Sequence, residues 1–269
     1  MKLAICQIRT EIDQDETLRK AEKMIREAAE NGAEIVVLPE MFNCPYSRKY
    51  FKTYAALGHE KTLAAMKKWA EENKILLVGG SIPETDGGKI YNTCFVIDET
   101  GKVIARHRKI HLFDVDMPDM HFSESATFGA GNDITVFDSK WGRIGVAICF
   151  DVRFPELFRA MTMRGAKLII LPAQFSAETG SRHWEMILRA RAADNQVFFA
   201  GAEAARHDGF NYQCWGHSTV VDPYGEVIAV CGENEEILYA DIDLARVEDT
   251  RKRLPVFDRL REDVYAVAK

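Results

Sequence analysis

The sequence predicts an α/β fold of four layers, two β-sheets packed face to face between two layers of helices (αββα), and three observations predict it. The chain echoes itself: Gly32-Ala33-Glu34-Ile35-Val36-Val37-Leu38-Pro39-Glu40 returns as Gly165-Ala166-Lys167-Leu168-Ile169-Ile170-Leu171-Pro172-Ala173. The echo continues in order, Asn73-Lys74-Ile75-Leu76-Leu77-Val78-Gly79-Gly80 being answered by Asn195-Gln196-Val197-Phe198-Phe199-Ala200-Gly201-Ala202. Finally, amphipathic segments separate the apolar runs, and each copy closes on a hairpin pattern with glycine in its turn.

In chain order, Leu3-Ala4-Ile5-Cys6 is a strand, and a helix near 16–31 follows with Leu18, Ala21, Met24, Ile25 and Ala28 on one stripe. The strand at 35–38, a helix over 59–73 and the strand at 75–78 lead to a hairpin of 92–98 with 101–105, turning at Gly101. The second half repeats this with the strand at 143–148, a helix at 154–164, the strand at 168–171, a helix at 182–194, the strand at 197–200 and the hairpin of 217–222 with 225–229. One half can cover only one face of its sheet with helices. The other face stays apolar and needs the second half, so residues 1–269 read as one domain. The apolar residues Val256-Phe257 and Val264-Tyr265-Ala266-Val267 in the tail 244–269 suit packing on a partner subunit, as in a homodimer, or folding back on their own chain.

Composition excludes several classes of function. With 269 residues, 47% of them hydrophobic, the chain can bury a large core, and a net charge of −6 offers no basic stripe for nucleic acid. No apolar run approaches the roughly 18 residues of a membrane span, and the first 30 residues carry no signal-type apolar core, which together predict a cytoplasmic protein. The six cysteines (6, 44, 94, 149, 214 and 231) have no CxxC spacing and read as reduced thiols.

In α/β sheets, ligand groups gather beyond the carboxyl ends of strands. Cys149 stands at such an end, where a following helix can begin, and the amides there would stabilise a thiolate and a developing oxyanion. Taken alone it reads more readily as a silent buried core thiol. Where the first half has Glu40 after Leu-Pro, the second has Ala173; where the second has Cys149, the first has Cys6. Lys109 lies in a cationic segment, Arg106 to Asp114, that leaves a strand, so Glu40, Lys109 and Cys149 can converge. Singly, Glu40 is also a helix-start charge and Lys109 a solvated base. His107 and His111 have the i, i+4 spacing of a helical zinc pair but follow a strand pattern and lack the intervening Glu, so no metal is expected; His183 reads as structural.

The motifs Leu38-Pro39-Glu40-Met41-Phe42, Arg108-Lys109-Ile110-His111-Leu112-Phe113 and Ile148-Cys149-Phe150-Asp151-Val152-Arg153-Phe154-Pro155-Glu156 resemble the nitrilase (carbon–nitrogen hydrolase) superfamily. Phe42-Asn43-Cys44-Pro45-Tyr46, Thr179-Gly180-Ser181-Arg182-His183-Trp184-Glu185 and Arg189-Ala190-Arg191-Ala192-Ala193-Asp194-Asn195-Gln196 extend the likeness, over nearly the whole chain, to its omega-amidase branch. The resemblance implies a Glu-Lys-Cys triad with Glu40 as base, Lys109 as oxyanion cation and Cys149 as nucleophile. It implies support from Glu124, matching a second glutamate that holds the lysine, and from the backbone N–H of Phe150. Glu124 read alone is an exposed loop carboxylate. Tyr46, Arg153, Gln174 and Phe175 are the expected substrate contacts, Arg153 being equally suited to pair with Glu156 or Asp151. No cofactor is implied. Four positions depart from the branch pattern: Phe150 for Tyr, Cys44 for Ser, Gln174 for Ala and Ser176 for Asn. The implied reaction is hydrolysis of a short dicarboxylate monoamide such as 2-oxoglutaramate or 2-oxosuccinamate. An N-carbamoyl amino-acid hydrolase or a deaminated glutathione amidase is the near alternative, and a catalytically silent binding or assembly protein the alternative of another class.

Overall fold

The first half of the chain builds its sheet from the apolar runs. In the computed structural model, which describes residues 1–265 apart from 118, 119, 208 and 211, these are β1 (Lys2–Gln7), β2 (Ile35–Val37) and β3 (Leu76–Val78), parallel neighbours with Leu3 opposite Ile35 and Ile35 opposite Leu76. Helices α1 (Gln14–Glu30), α2 (Arg48–Ala56) and α3 (Glu60–Asn73) lie between them in sequence. Next come β4 (Ile82–Asp86), β5 (Lys89–Ile97) and β6 (Val103–Arg108), with β3 and β4 on one edge of β5 and β6 on the other.

A small hairpin, β7 (Asp114–Met117) and β8 (Met120–Ser123), leads to the second half. That half comprises β9 (Thr135–Ser139), β10 (Gly142–Val146), α4 (Pro155–Met163), β11 (Leu168–Ala173), α5 (Ala177–Asn195), β12 (Phe198–Glu203), β13 (Thr219–Val221) and β14 (Val227–Val230). Its sheet runs β14-β13-β12-β11-β10-β9. The predicted repeat is therefore present: three parallel strands, then an antiparallel hairpin. What the repeat did not foresee is β15 (Glu236–Asp241), which returns from the second half to pair antiparallel with β1, as β9 pairs with β10. The final helix, α6 (Ala245–Arg253), follows it.

Alternation along β1 explains the layers. Leu3 and Ile5 face the second sheet and join Ile144, Val146, Leu168 and Ile170 in one buried cluster. Ala4 and Cys6 point the other way and pack with Leu18, Ala21 and Ile25 of α1 and Met66 and Trp69 of α3. A strand buried on both faces must be apolar throughout, which is why these runs carry no alternation. Helices α4 and α5 cover the second sheet through Phe158, Met161, Trp184 and Leu188.

One helix boundary and one whole helix differ from the sequence reading. The helix expected from 182 begins at Ala177, because the Ser176 hydroxyl caps it by accepting the Thr179 N–H at 3.3 Å. Helix α2 was unforeseen, its buried face being only Phe51, Tyr54 and Ala55. In the tail, the Phe257 ring sits between the guanidinium groups of Arg159 and Arg251, 4.8 and 4.9 Å from its centroid, so this part folds on its own chain. Leu254, Val264 and Tyr265 stay exposed, while Ala266 and Val267 lie outside the described residues. Among the described residues no helix is long and apolar enough to cross a membrane.

Truncating Ile5 to alanine opens a cavity between the sheets and should cost about 2–5 kcal/mol in chemical denaturation. Ile12→Ala, at a position 60% exposed, should stay within about 0.5 kcal/mol.

Candidate active site

Three strand ends supply the site. Past β2, the chain turns at Pro39-Glu40-Met41, where the Ser81 N–H donates to the Pro39 carbonyl at 3.1 Å and the Met41 N–H to the Ser81 hydroxyl at 3.0 Å. Gly80 makes this approach possible: its φ is +58°, and a Cβ there would lie 2.1 Å from the Pro39 oxygen. Past β6, the Lys109 N–H donates to the Asn92 carbonyl and its own carbonyl accepts the Gly131 N–H, both at 2.9 Å. Gly131 is equally constrained, since a Cβ would meet the Arg108 oxygen at 2.1 Å. Past β10, Cys149 opens a 3-10 turn, Cys149–Arg153, with φ +44°, a left-handed conformation unusual for any residue but glycine.

These ends place Glu40, Lys109 and Glu124 in one fully buried group. The Lys109 ammonium donates to Glu40 Oε1 at 2.8 Å and reaches Glu124 Oε2 at 2.8 Å. Glu124 is therefore no exposed loop carboxylate. It also accepts the Phe113 N–H at 2.6 Å and the Tyr46 hydroxyl at 3.1 Å, and the Asn92 amide donates to Glu40 at 2.8 Å. The Gln174 N–H supports the other Glu40 oxygen at 3.1 Å.

Charge balance sets the proton positions. Burial and the Glu124 charge push the Glu40 carboxyl above the ordinary carboxylate range, although Lys109 opposes them. Burial would neutralise Lys109, but Glu124 and Glu40 outweigh it and hold the ammonium above the ordinary lysine range. The Cys149 thiol, 5% exposed with Sγ 3.8 Å from the Gln174 carbonyl oxygen, is raised well above its ordinary value by burial and then by Glu40, against the pull of Lys109. At rest the sulfur is thus protonated, with a carboxylate base and a fixed cation beside it. This arrangement can deliver a thiolate on demand and stabilise an oxyanion.

The expected substrate contacts divide. Arg153 makes no ion pair with Glu156 or Asp151; its guanidinium lies 5.4 Å from the Phe175 ring centroid and 3.4 Å from His183 Nδ1, half-buried and without a carboxylate partner among the described residues. Phe113, Cys149, Phe150, Arg153, Phe175 and Tyr212 line the same pocket. Tyr46 lines an adjoining cleft of about 630 Å³ and stacks on Phe122 at 5.4 Å. The Gln174 amide turns inward, donating to the Glu40 carbonyl at 2.6 Å and facing Cys214 Sγ at 3.4 Å, so it braces the base. Cys44 is buried in the aromatic cluster of Tyr46, Phe51 and Tyr54. His107 and His111 do not face a common metal position: both rings bond to Asp151.

Asn92, Tyr212, Asp151 and Glu203 escaped sequence reasoning. Asn92 shares a face of β5 with Cys94 and Val96, and a polar residue on an apolar face was the available signal. Tyr212 donates to the Gln174 carbonyl at 2.7 Å from a loop without motif. Glu203 ends β12 fully buried, its carboxyl taking the Phe175 N–H at 2.9 and 3.1 Å, with no cation within ion-pair distance among the described residues.

Residues 2–252 match the model of the family described as carbon-nitrogen hydrolase. Omega-amidase NIT2 of Homo sapiens is 46% identical over 267 residues, 99% of this chain and 97% of its own. The crystal structure of Saccharomyces cerevisiae Nit3, a member of branch 10 of the nitrilase superfamily, superposes with a TM-score of 0.89 at 38% identity, covering 97% of this chain and 96% of that one. The NitFhit protein of C. elegans superposes with a TM-score of 0.93 at 34% identity over 99% of this chain and 66% of its own.

Burial raises the Glu203 carboxyl well above its ordinary value, and the Glu40 charge adds to it. Between the unfolded and folded values the folded chain holds the extra proton, so stability falls as pH rises through that window. Each pH unit of that window costs about 1.4 kcal/mol, and each kcal/mol moves the melting temperature by roughly 2–4 °C. Glu203→Gln removes this loss and should melt above the parent at pH 7.5. The difference should vanish near pH 4, and equal melting at both pH values would contradict the assignment.

Proposed function

The chain belongs to the carbon–nitrogen hydrolase family, and from that premise we propose that it is a cysteine-dependent omega-amidase. It hydrolyses the terminal amide of a short dicarboxylate monoamide, such as 2-oxoglutaramate or 2-oxosuccinamate, to ammonia and the dicarboxylate. The observation that carries this reading is the buried Glu40–Lys109–Glu124 group beside the Cys149 thiol, with Arg153, which has no carboxylate partner among the described residues, in the Cys149 pocket.

The amide carbonyl enters beside Cys149 with its oxygen toward Lys109 and the N–H of Phe150. The Asp151 N–H makes the first hydrogen bond of the turn, to Ile148, so the Phe150 N–H before it is left to serve the incoming oxygen. Glu40 takes the thiol proton as sulfur bonds to the carbonyl carbon, and negative charge passes from carboxylate to oxyanion without leaving the reach of the ammonium. The C–N bond then breaks, Glu40 returns the proton to nitrogen, and ammonia leaves a thioester. Glu40 next takes a proton from water as its oxygen attacks the thioester, and collapse releases the acid and restores the thiol. Arg153 holds the distal carboxylate, which a neutral amide lacks.

The cleft of about 630 Å³ beyond Tyr46 and Tyr212 favours a second reading, in which a larger amide such as deaminated glutathione extends into it. We read residues 1–269 as one hydrolase domain in a cytoplasmic homodimer. Six free cysteines support the compartment, and exposed Leu254, Val264 and Tyr265 support a partner on the tail.

Ammonia release from both monoamides, deaminated glutathione and an N-carbamoyl amino acid tests these readings. The parent should turn over a monoamide bearing a distal carboxylate, with an acid limb of kcat/KM above the ordinary carboxylate range because Glu40 must be ionised. Cys149→Ala should lose about 10³-fold or more. Ammonia released at the parent rate by Cys149→Ala would sink the proposal.

A further inference from the structure

Asp151 is wholly buried, meets no Lys or Arg among the described residues, and its side chain takes no part in the chemistry above. Its two oxygens nonetheless collect four N–H donors. Oδ2 accepts the Ile148 N–H at 2.9 Å and His107 Nε2 at 3.2 Å, while Oδ1 accepts the His111 N–H at 2.9 Å and His111 Nδ1 at 2.8 Å. Because a carboxylate only accepts, those ring nitrogens carry their protons. His107 Nδ1 then faces the Thr135 hydroxyl at 3.0 Å, and the His111 ring stacks on Phe154 with centroids 3.5 Å apart.

The donors come from two places in the chain. His107 and His111 flank Lys109 by two residues on either side; Ile148 immediately precedes Cys149. The Asp151 N–H also donates to the Ile148 carbonyl at 3.0 Å, so the N–H and the carbonyl of the residue before the left-handed Cys149 are both held by Asp151. Lys109 and Cys149 belong to different sheets, whose packing is mostly apolar; the bonds from Gln174 fix Glu40 across it but do not reach the Lys109 segment. Directional bonds across the gap are needed to fix one against the other to about half an ångström.

We propose that Asp151 is a positioning residue, a latch whose carboxylate sets the Cys149 backbone in register with the Lys109 segment. Burial alone would push the carboxyl up, but the bonds from His107 and His111 outweigh it and keep it ionised, well below the ordinary carboxylate range. The proposal rests on Cys149 being the nucleophile and Lys109 the oxyanion cation.

The test compares the parent, Asp151→Asn, His111→Phe and Cys149→Ala by ammonia release, thermal melting and the rate of iodoacetamide alkylation of Cys149, read by peptide mass. In Asp151→Asn the new amide NH₂ points at one pair of N–H donors. Its kcat and its Cys149 alkylation rate should fall about 10- to 100-fold, as expected for a displacement near 1 Å, with KM within about threefold. His111→Phe keeps the ring stack and the backbone bond and loses one hydrogen bond, so both rates should fall by about threefold to tenfold with melting little changed. A folded Asp151→Asn with parental kcat and alkylation overturns the latch. If Asp151→Asn does not fold, His111→Phe decides: falls in both rates at parental melting support the latch, and parental rates overturn it. Failure of the catalytic reading is separate, since parent alkylation would then not map to Cys149 and Cys149→Ala would keep its activity.

Discussion

A lysine ammonium with no exposure to water, clasped by two carboxylates, is the constraint around which this protein is organised. Removing such charges from water costs several kcal/mol each, and only close geometry with every lone pair served recovers it. The chain meets that demand from widely separated segments. Glu40 comes from the end of β2, Lys109 from β6 and Glu124 from the turn after β8, while Asn92, Tyr46 and backbone N–H groups serve the remaining oxygens. Burial, and then the Glu40 charge that Lys109 only partly offsets, raise the Cys149 thiol and keep it protonated until a substrate carbonyl can receive the charge.

The four-layer architecture makes this site rigid. Strand ends anchored in cores buried on both faces present short loops whose backbones have little freedom. Two of the left-handed non-glycine residues stand at the site: Met41 follows the base with φ +47°, and Cys149 has φ +44°. The glycines at 80 and 131 let a neighbouring segment press against the backbone behind Glu40 and Lys109, where any side chain would collide.

What could be read from the sequence follows from range. The apolar runs and hairpins are local signals, and their repetition at Ile35–Val37 and Leu168–Ala173 led to two packed sheets. Glu40, Lys109 and Cys149 sat in motifs specific enough to be found and are brought together, and Glu124 joins them. Strand β15 was illegible because its partner is β1, over two hundred residues earlier. Gln174, expected to touch substrate, lines the pocket at Cys149 and also braces Glu40 through its amide; that second role depends on the neighbouring strand, which no local pattern specifies. Asp151 was read only as a possible partner of Arg153 and Glu203 carried no signal, since only the folded chain shows that both are buried.

The central claim is that the ammonium is committed to two carboxylates, so no standing thiolate exists in the resting enzyme. Thiolate absorbance near 240 nm, taken as the parent minus Cys149→Ala from pH 5 to pH 9, tests it directly. The account predicts no difference signal from Cys149 at neutral pH, only at the alkaline end if anywhere. A thiolate band already present at pH 6–7 would contradict it, because Lys109 would then be acting as the counter-ion of a preformed ion pair.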